Sequence, residues 1–161
     1  MTRHIAWFLA GLVMASSVTA QSTNIELGGL EADPDAPVEI SAENLAVDQE
    51  NGNAVFTGNV VIGQGNLRIA AARVEVEYGA DGGDIETLRA TGGVTFTTDE
   101  TAAEAQEADY NLARDSIIMT GDVLVTQGQS AISAARMTVD LTTGNAVMEG
   151  NVRTILQQGD Q

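Results

Sequence analysis

Carboxylates are the only chemically reactive side chains that this sequence holds in number. Glu75 and Glu77 stand two residues apart, and Asp81 and Asp84 flank a Gly-Gly pair. Two carboxylates are what glycoside hydrolysis requires, and an acidic turn offers oxygen ligands for Ca²⁺. The alternating pattern puts both glutamates on the wet face of one strand, however, and the acidic turn has the composition of a solvated hairpin tip. We therefore predict no catalytic residue and no metal site, and keep a polysaccharide-cleaving β-solenoid as a competing hypothesis.

The residue types that the sequence lacks exclude further classes of function. The sequence has no Lys and no Cys, and its one His is His4, near the N-terminus. This excludes a Cys nucleophile, a Schiff-base Lys, a P-loop and, downstream of His4, a catalytic triad or a zinc site. The net charge of −16 argues against nucleic acid as a partner. Gly63-Gln64-Gly65 has neither the third glycine nor the helix of a dinucleotide-binding loop, so we expect no cofactor.

Residues 1–20 have the layout of a secretory signal peptide. Arg3 gives a basic start, residues 5–13 form an apolar core, and Val18-Thr19-Ala20 is a small-residue cleavage site. The apolar core is shorter than the ~20 residues of a membrane span. We predict export with cleavage after Ala20, and keep an uncleaved anchor as the alternative.

The rest of the chain divides by composition. Residues 21–35 are polar and acidic and are expected to form a flexible lead-in. Residues 36–157 alternate apolar and polar positions in short runs, which is typical of strands with one buried face. Counting these runs predicts about sixteen short antiparallel strands in an all-β domain, followed by a C-terminal tail at residues 158–161.

An internal repeat is the strongest pattern in the sequence. Residues 57–78 align without gaps on residues 120–141, with ten of the 22 positions identical. Within the repeat, a glycine followed two residues later by valine recurs. Each such glycine is expected to mark a corner or a close backbone approach. These glycines are Gly58, Gly92, Gly121 and Gly150.

The order and spacing of these residues resemble a known family. The run from Thr57 to Ile62, then Gln64-Gly65, then Ile69 and Arg73-Val74, is similar to the OstA-like (LptA) family of lipopolysaccharide-transport bridge proteins. Pro37 to Ala42 resembles the opening strand of that family, and Tyr110 to Asp115 its central strand pair. The resemblance implies an elongated open β-jellyroll, a periplasmic location, and lipopolysaccharide acyl chains carried in an apolar interior.

The resemblance and the strand parity together place a set of side chains on the lipid-facing interior. The competing interpretation is that these are ordinary core residues that never touch lipid. Transport needs no catalytic group, which suits this composition. The predicted lipid-binding residues are Val38, Ile40, Phe56, Ile62, Ile69, Val76, Phe96, Tyr110, Leu112 and Val125.

The resemblance also implies docking through strand edges at both ends of the jellyroll. The implied partners are an LptC-like inner-membrane component, an LptD-like outer-membrane translocon, and further copies in a head-to-tail oligomer. The alternatives are a membrane-anchored LptC-like component of the same pathway and a non-catalytic structural β-repeat protein. The predicted edge residues are Val38, Glu39, Ile40 and Ser41 at one end, and Val152, Arg153, Thr154 and Ile155 at the other.

Two arginines occupy equivalent positions of the repeat, Arg73 and Arg136. They are candidates for contact with lipid A phosphates. On so acidic a surface we expect each of them to pair with a nearby carboxylate instead.

Overall fold

The computed structural model describes residues 23–26, 33, 35–48, 52–80 and 83–156. This part of the chain is all-β, as the alternating pattern predicts, and none of it forms a helix long and apolar enough to cross a membrane. The predicted signal peptide at residues 1–20 and the predicted tail at residues 158–161 lie outside it. In chain order the strands are β1 (Thr23–Glu26), β2 (Glu39–Ser41), β3 (Asn44–Val47), β4 (Ala54–Gln64), β5 (Leu67–Tyr78), β6 (Ile85–Thr97), β7 (Thr101–Asn111), β8 (Ser116–Gln127), β9 (Ser130–Asp140), β10 (Asn145–Glu149) and β11 (Arg153–Ile155).

The strands form one antiparallel sheet in the order β2-β4-β5-β6-β7-β8-β9-β10-β1. β3 pairs with β4 beyond the end of β2, and β11 pairs with β9 beyond the end of β10. Eight interstrand spacings of about 4.8 Å make the body roughly 40 Å long.

Two-residue bulges bend the long strands at one level of the sheet. In β8 the bulge is Gly121-Asp122, whose φ values are 84° and 48°, and it stands opposite the single residue Gln106 of β7. A Cβ at Gly121 would lie 2.8 Å from the Cβ of Gln106, so a side chain does not fit. The glycines of the other Gly-x-Val units have φ values of 80° to 86° and equally close neighbours. They therefore lie at equivalent corners of the sheet; they are Gly58, Gly92 and Gly150.

The corners divide the sheet into two halves. We call them the β3–β10 half, which contains those two strands, and the β2–β11 half. β4 passes through both: Ala54–Thr57 pairs with β3, and Val61–Gly63 pairs with β2. The apolar faces of both halves contribute to one continuous hydrophobic cluster.

The prediction of about sixteen short strands is wrong, because the described residues contain eleven, six of them 11 to 13 residues long. Pairing resumes beyond each corner instead of ending there, so two alternating runs belong to one bent strand. In β5 the burial alternation shifts by one residue at Ala72 and Arg73, both exposed. Such a shift makes one strand look like two.

The segment predicted as a lead-in, residues 21–35, contains strand β1. It pairs with β10 along all four of its residues, from Thr23 opposite Met148 to Glu26 opposite Asn145. Nearer to β2, the Ala36 amide donates a hydrogen bond to the Asp33 carbonyl, 3.1 Å away, and closes a turn. Flexibility of this segment stays a prediction.

Candidate functional site

All ten side chains predicted to face the interior lie in or against the hydrophobic cluster. Six of them are at most 2% exposed: Ile62, Ile69, Val76, Phe96, Tyr110 and Val125. Four are partly buried and pack on its margin: Val38, Ile40, Phe56 and Leu112. The structure therefore brings the whole set to one interior, while their contact with lipid stays a prediction.

The strand register arranges these side chains in rows along the body. Each row crosses the sheet from strand to strand, so apolar groups follow one another along the long axis. In the β2–β11 half the row is Ile40, Ile62, Ile69, Phe96, Ala103, Val125 and Ile132. In the β3–β10 half it is Ala54, Val76, Leu88, Tyr110, Ile117, Val139 and Ala146.

One buried hydrogen bond joins the two halves across the interior. The Tyr110 hydroxyl, in the β3–β10 half, donates to Oε1 of Gln64 at the end of β4 in the other half. Nε2 of Gln64 donates in turn to the Ala36 carbonyl, 3.2 Å away. Burial, with a smaller contribution from the negative charge of Asp115, raises the pKa of Tyr110 to about 12. The chain of bonds connects the interior to the segment that leads into the edge strand β2.

A cavity of about 510 Å³ opens at the β3 end of the interior. Its volume lies within the range of small-molecule sites, ~300–1,000 Å³. Its mouth is apolar and exposed: Leu45 is 56% exposed and Val47 is 60% exposed. Phe56 is the predicted residue among those that line it, which are Leu45, Val47, Gly52, Ala54, Phe56, Tyr78, Gly79 and Ala80.

The sequence analysis did not assign Leu45, Val47 or Tyr78 to the site. The alternation of Leu45 and Val47 indicated a strand with one buried face, but all four residues of β3 are exposed. The sequence shows that these side chains are apolar. Only the strand order shows that β3 is an edge strand, on which they are exposed.

Three arginines of the described residues form or approach ion pairs with acidic side chains on the outer face. Arg73 contacts Glu75 at 2.5 Å, Arg136 lies 4.0 Å from Glu149, and Arg89 pairs with Asp109 at 2.7 Å. Arg73 and Arg136 thus have the carboxylate neighbours expected for them. Glu75, half of the candidate hydrolytic pair, belongs to one of these surface ion pairs. Within the described ranges no three His, Cys, Asp or Glu side chains gather as a metal site would require.

Both predicted edges lie at the ends of the sheet. Among the residues that the structure describes, β2 pairs only with β4 and β11 only with β9, so each leaves one strand edge open. Val38 and Val152 directly precede these strands and are half-buried against the core. The exposed edge at the first end also includes β3, which the prediction omitted. Use of either edge by a partner stays a prediction.

Comparison with known proteins identifies the family of this sheet. Residues 39–145 match the family model described as "LptA/(LptD N-terminal domain) LPS transport protein". The lipopolysaccharide export system protein LptA of Haemophilus influenzae is 30% identical over 151 residues, which are 89% of this chain and 83% of that protein. The protein of the same name from Escherichia coli K12 is 28% identical over 133 residues, 79% of this chain and 71% of that protein.

A solved structure shares the fold. The crystal structure of LptH, titled the LptA homologous periplasmic component of the conserved lipopolysaccharide transport device from Pseudomonas aeruginosa, superposes with a TM-score of 0.70. The sequences are 16% identical, and the match covers 79% of this chain and 99% of that one. The family match, which extends over most of the sheet, confirms the resemblance: this chain belongs to the LptA/(LptD N-terminal domain) family of LPS transport proteins.

Proposed function

We propose that this protein carries lipopolysaccharide through the periplasm by shielding its acyl chains inside the jellyroll. The observation that carries the proposal is the continuous apolar interior with an exposed apolar mouth at β3. Family membership supports it, as do relatives named for lipopolysaccharide export and a structural neighbour described as periplasmic. The protein performs no catalytic step in this function.

Burial of hydrocarbon supplies the binding energy. Each methylene removed from water gains about 0.8 kcal/mol, so a few acyl chains need no specific polar contact. Many of the side chains that face the interior are small: Ala54, Ala90, Ala103, Ala108 and Ala146 are all buried. The interior side chains are nearly all buried by one another, so we infer that the two halves part about the glycine corners as acyl chains slide in.

The open edges supply the docking surfaces of a bridge. Unpaired N–H and C=O groups along β2–β3 and β11 accept strands from similar jellyrolls. We assign them to an LptC-like inner-membrane component, an LptD-like outer-membrane component and further copies of this chain. The same proposal takes residues 1–20 as a cleaved leader and residues 36–157 as the jellyroll domain.

A pair of valine substitutions tests the apolar mouth. Val47→Asp puts a charge at the mouth, and Val61→Asp puts the same charge on the outer face of β4, where Val61 is 40% exposed. We expect Val47→Asp to weaken binding of purified lipopolysaccharide by about tenfold, a cost of ~1.4 kcal/mol, and Val61→Asp to leave it unchanged. Equal binding by the two folded variants would contradict a lipid path through this mouth.

A further inference from the structure

The two ends of the sheet differ in how far their edges are covered. Within the described part of the chain, β2 and β3 at the first end both pair only with β4, and their outer edges are open. At the other end, β11 is open but β10 is not, because β1 pairs with it from Asn145 to Met148. The chain's own N-terminal strand thus covers β10, which lies beside the predicted docking edge β11 at the same end of the sheet.

The place that β1 fills is the place that a partner strand would take. β3 and β10 belong to the same half of the sheet, and β2 and β11 to the other. When one copy stacks on the end of another, its β3 therefore meets β10 and its β2 meets β11. The resident β1 and an incoming β3 would therefore compete for the same edge of β10. Both strands are four residues long.

A second copy would bring a second strand, with charged and apolar side chains, to this end of the sheet. Its β2 carries Glu39, an acid, and would lie beside β11, which carries Arg153; both side chains are exposed. Each edge also exposes apolar side chains that docking would cover, Leu45 and Val47 on β3 and Ile155 on β11. The described residues of β1 pair with β10 and not with β11, so the incoming edge gains a second strand pairing.

We propose that β1 blocks the outer edge of β10 within the same molecule. A second copy of this chain displaces β1 by pairing its β3 with β10 and its β2 with β11. This proposal rests on the proposed role of the edges in docking. β1 also explains how a single molecule avoids uncontrolled edge-to-edge association, because half of its terminal edge is already paired.

Proline tests the pairing because it removes an N–H and is not tolerated inside a paired strand. Asn24→Pro acts at the second residue of β1, and Asn24→Ala is the matched control that keeps the N–H. The proteins are purified from the periplasm after expression of the full chain. Amide hydrogen exchange of residues 145–149 is measured at low concentration, and self-association by sedimentation equilibrium.

We expect Asn24→Pro to speed exchange of alternate β10 amides and to tighten self-association by about tenfold, while Asn24→Ala does neither. Unchanged exchange would overturn the proposal, because β1 would not be covering β10. Faster exchange without tighter association would overturn it as well, because a second copy would not be the competitor. Lipopolysaccharide binding by the same proteins should be equal, so failure of the shielding function is recognised separately.

Discussion

Tyr110 links the two halves of the sheet across the interior and, through Gln64, reaches the segment that leads into β2. Its hydroxyl reaches Gln64, 46 residues away, and Gln64 reaches Ala36. The alternation around Tyr110 indicated an inward side chain. The same pattern could not identify its partner, because Gln64 stands in a Gly-rich turn sequence, and a polar residue there is ordinarily solvated. Only the register that brings the end of β4 over β7 shows that Gln64 is buried.

The pKa of Tyr110 predicts a loss of stability at high pH. Burial raises this pKa from 10.0 in the unfolded chain to about 12 in the folded protein. The folded state therefore holds the proton more tightly, so the contribution is complete below about pH 10 and is lost as the pH rises towards 12.

We expect the free energy of unfolding to fall by about 2 kcal/mol over that range through this group. Tyr110→Phe should remove that part of the pH dependence. At neutral pH the variant should cost about 1–3 kcal/mol, because buried Gln64 loses its donor. Urea unfolding of both proteins at about pH 8 and pH 11 measures the two effects. An identical pH dependence in the two proteins would show that Tyr110 is not the responsible group.

The glycine corners are the elements that the sequence located best. The Gly-x-Val unit marked the four positions at which strands bend, because only a residue without a Cβ tolerates both the positive φ and the close neighbour. Whether the chain turns back or continues at such a glycine depends on pairing with distant strands. That pairing is not a local property, which is why the strand number was overestimated. β1 was missed because four residues carry too little alternation to indicate a strand.

Two adjacent glycines allow the positive φ and the close neighbour of a corner to be tested separately. Gly92 and Gly93 both have a φ of 86°, but a Cβ at Gly92 would lie 2.7 Å from the Cβ of Ala72, whereas nothing lies within 4 Å at Gly93. Gly93→Ala should therefore cost only the backbone strain, about 1–2 kcal/mol. Gly92→Ala should cost about 1–3 kcal/mol more, for the overpacking. Thermal or urea unfolding of the two variants gives the difference, and equal values would mean that the contact with Ala72 relaxes freely.

The whole molecule is one elongated, bent sheet with a single apolar interior and two unequal ends. The all-β class and the family were predictable from the sequence, because alternation and glycine spacing are local patterns. The apolar mouth at β3 and the covered edge at β10 were not, since both depend on which strands end the sheet. The net charge of −16 and the ion pairs of Arg73, Arg89 and Arg136 favour our proposal that hydrocarbon burial, and not phosphate recognition, is the basis of binding.

Shielding requires acyl chains to lie where the interior rows of side chains now meet. A photoreactive phenylalanine analogue at Phe96, which is 1% exposed, tests it in protein exported to the periplasm, with the same analogue at exposed Glu104 as the control. We expect lipopolysaccharide adducts at Phe96 and none at Glu104. Folded protein that forms no adduct at Phe96 would mean that the interior is a closed core, and the shielding function would then have to be abandoned.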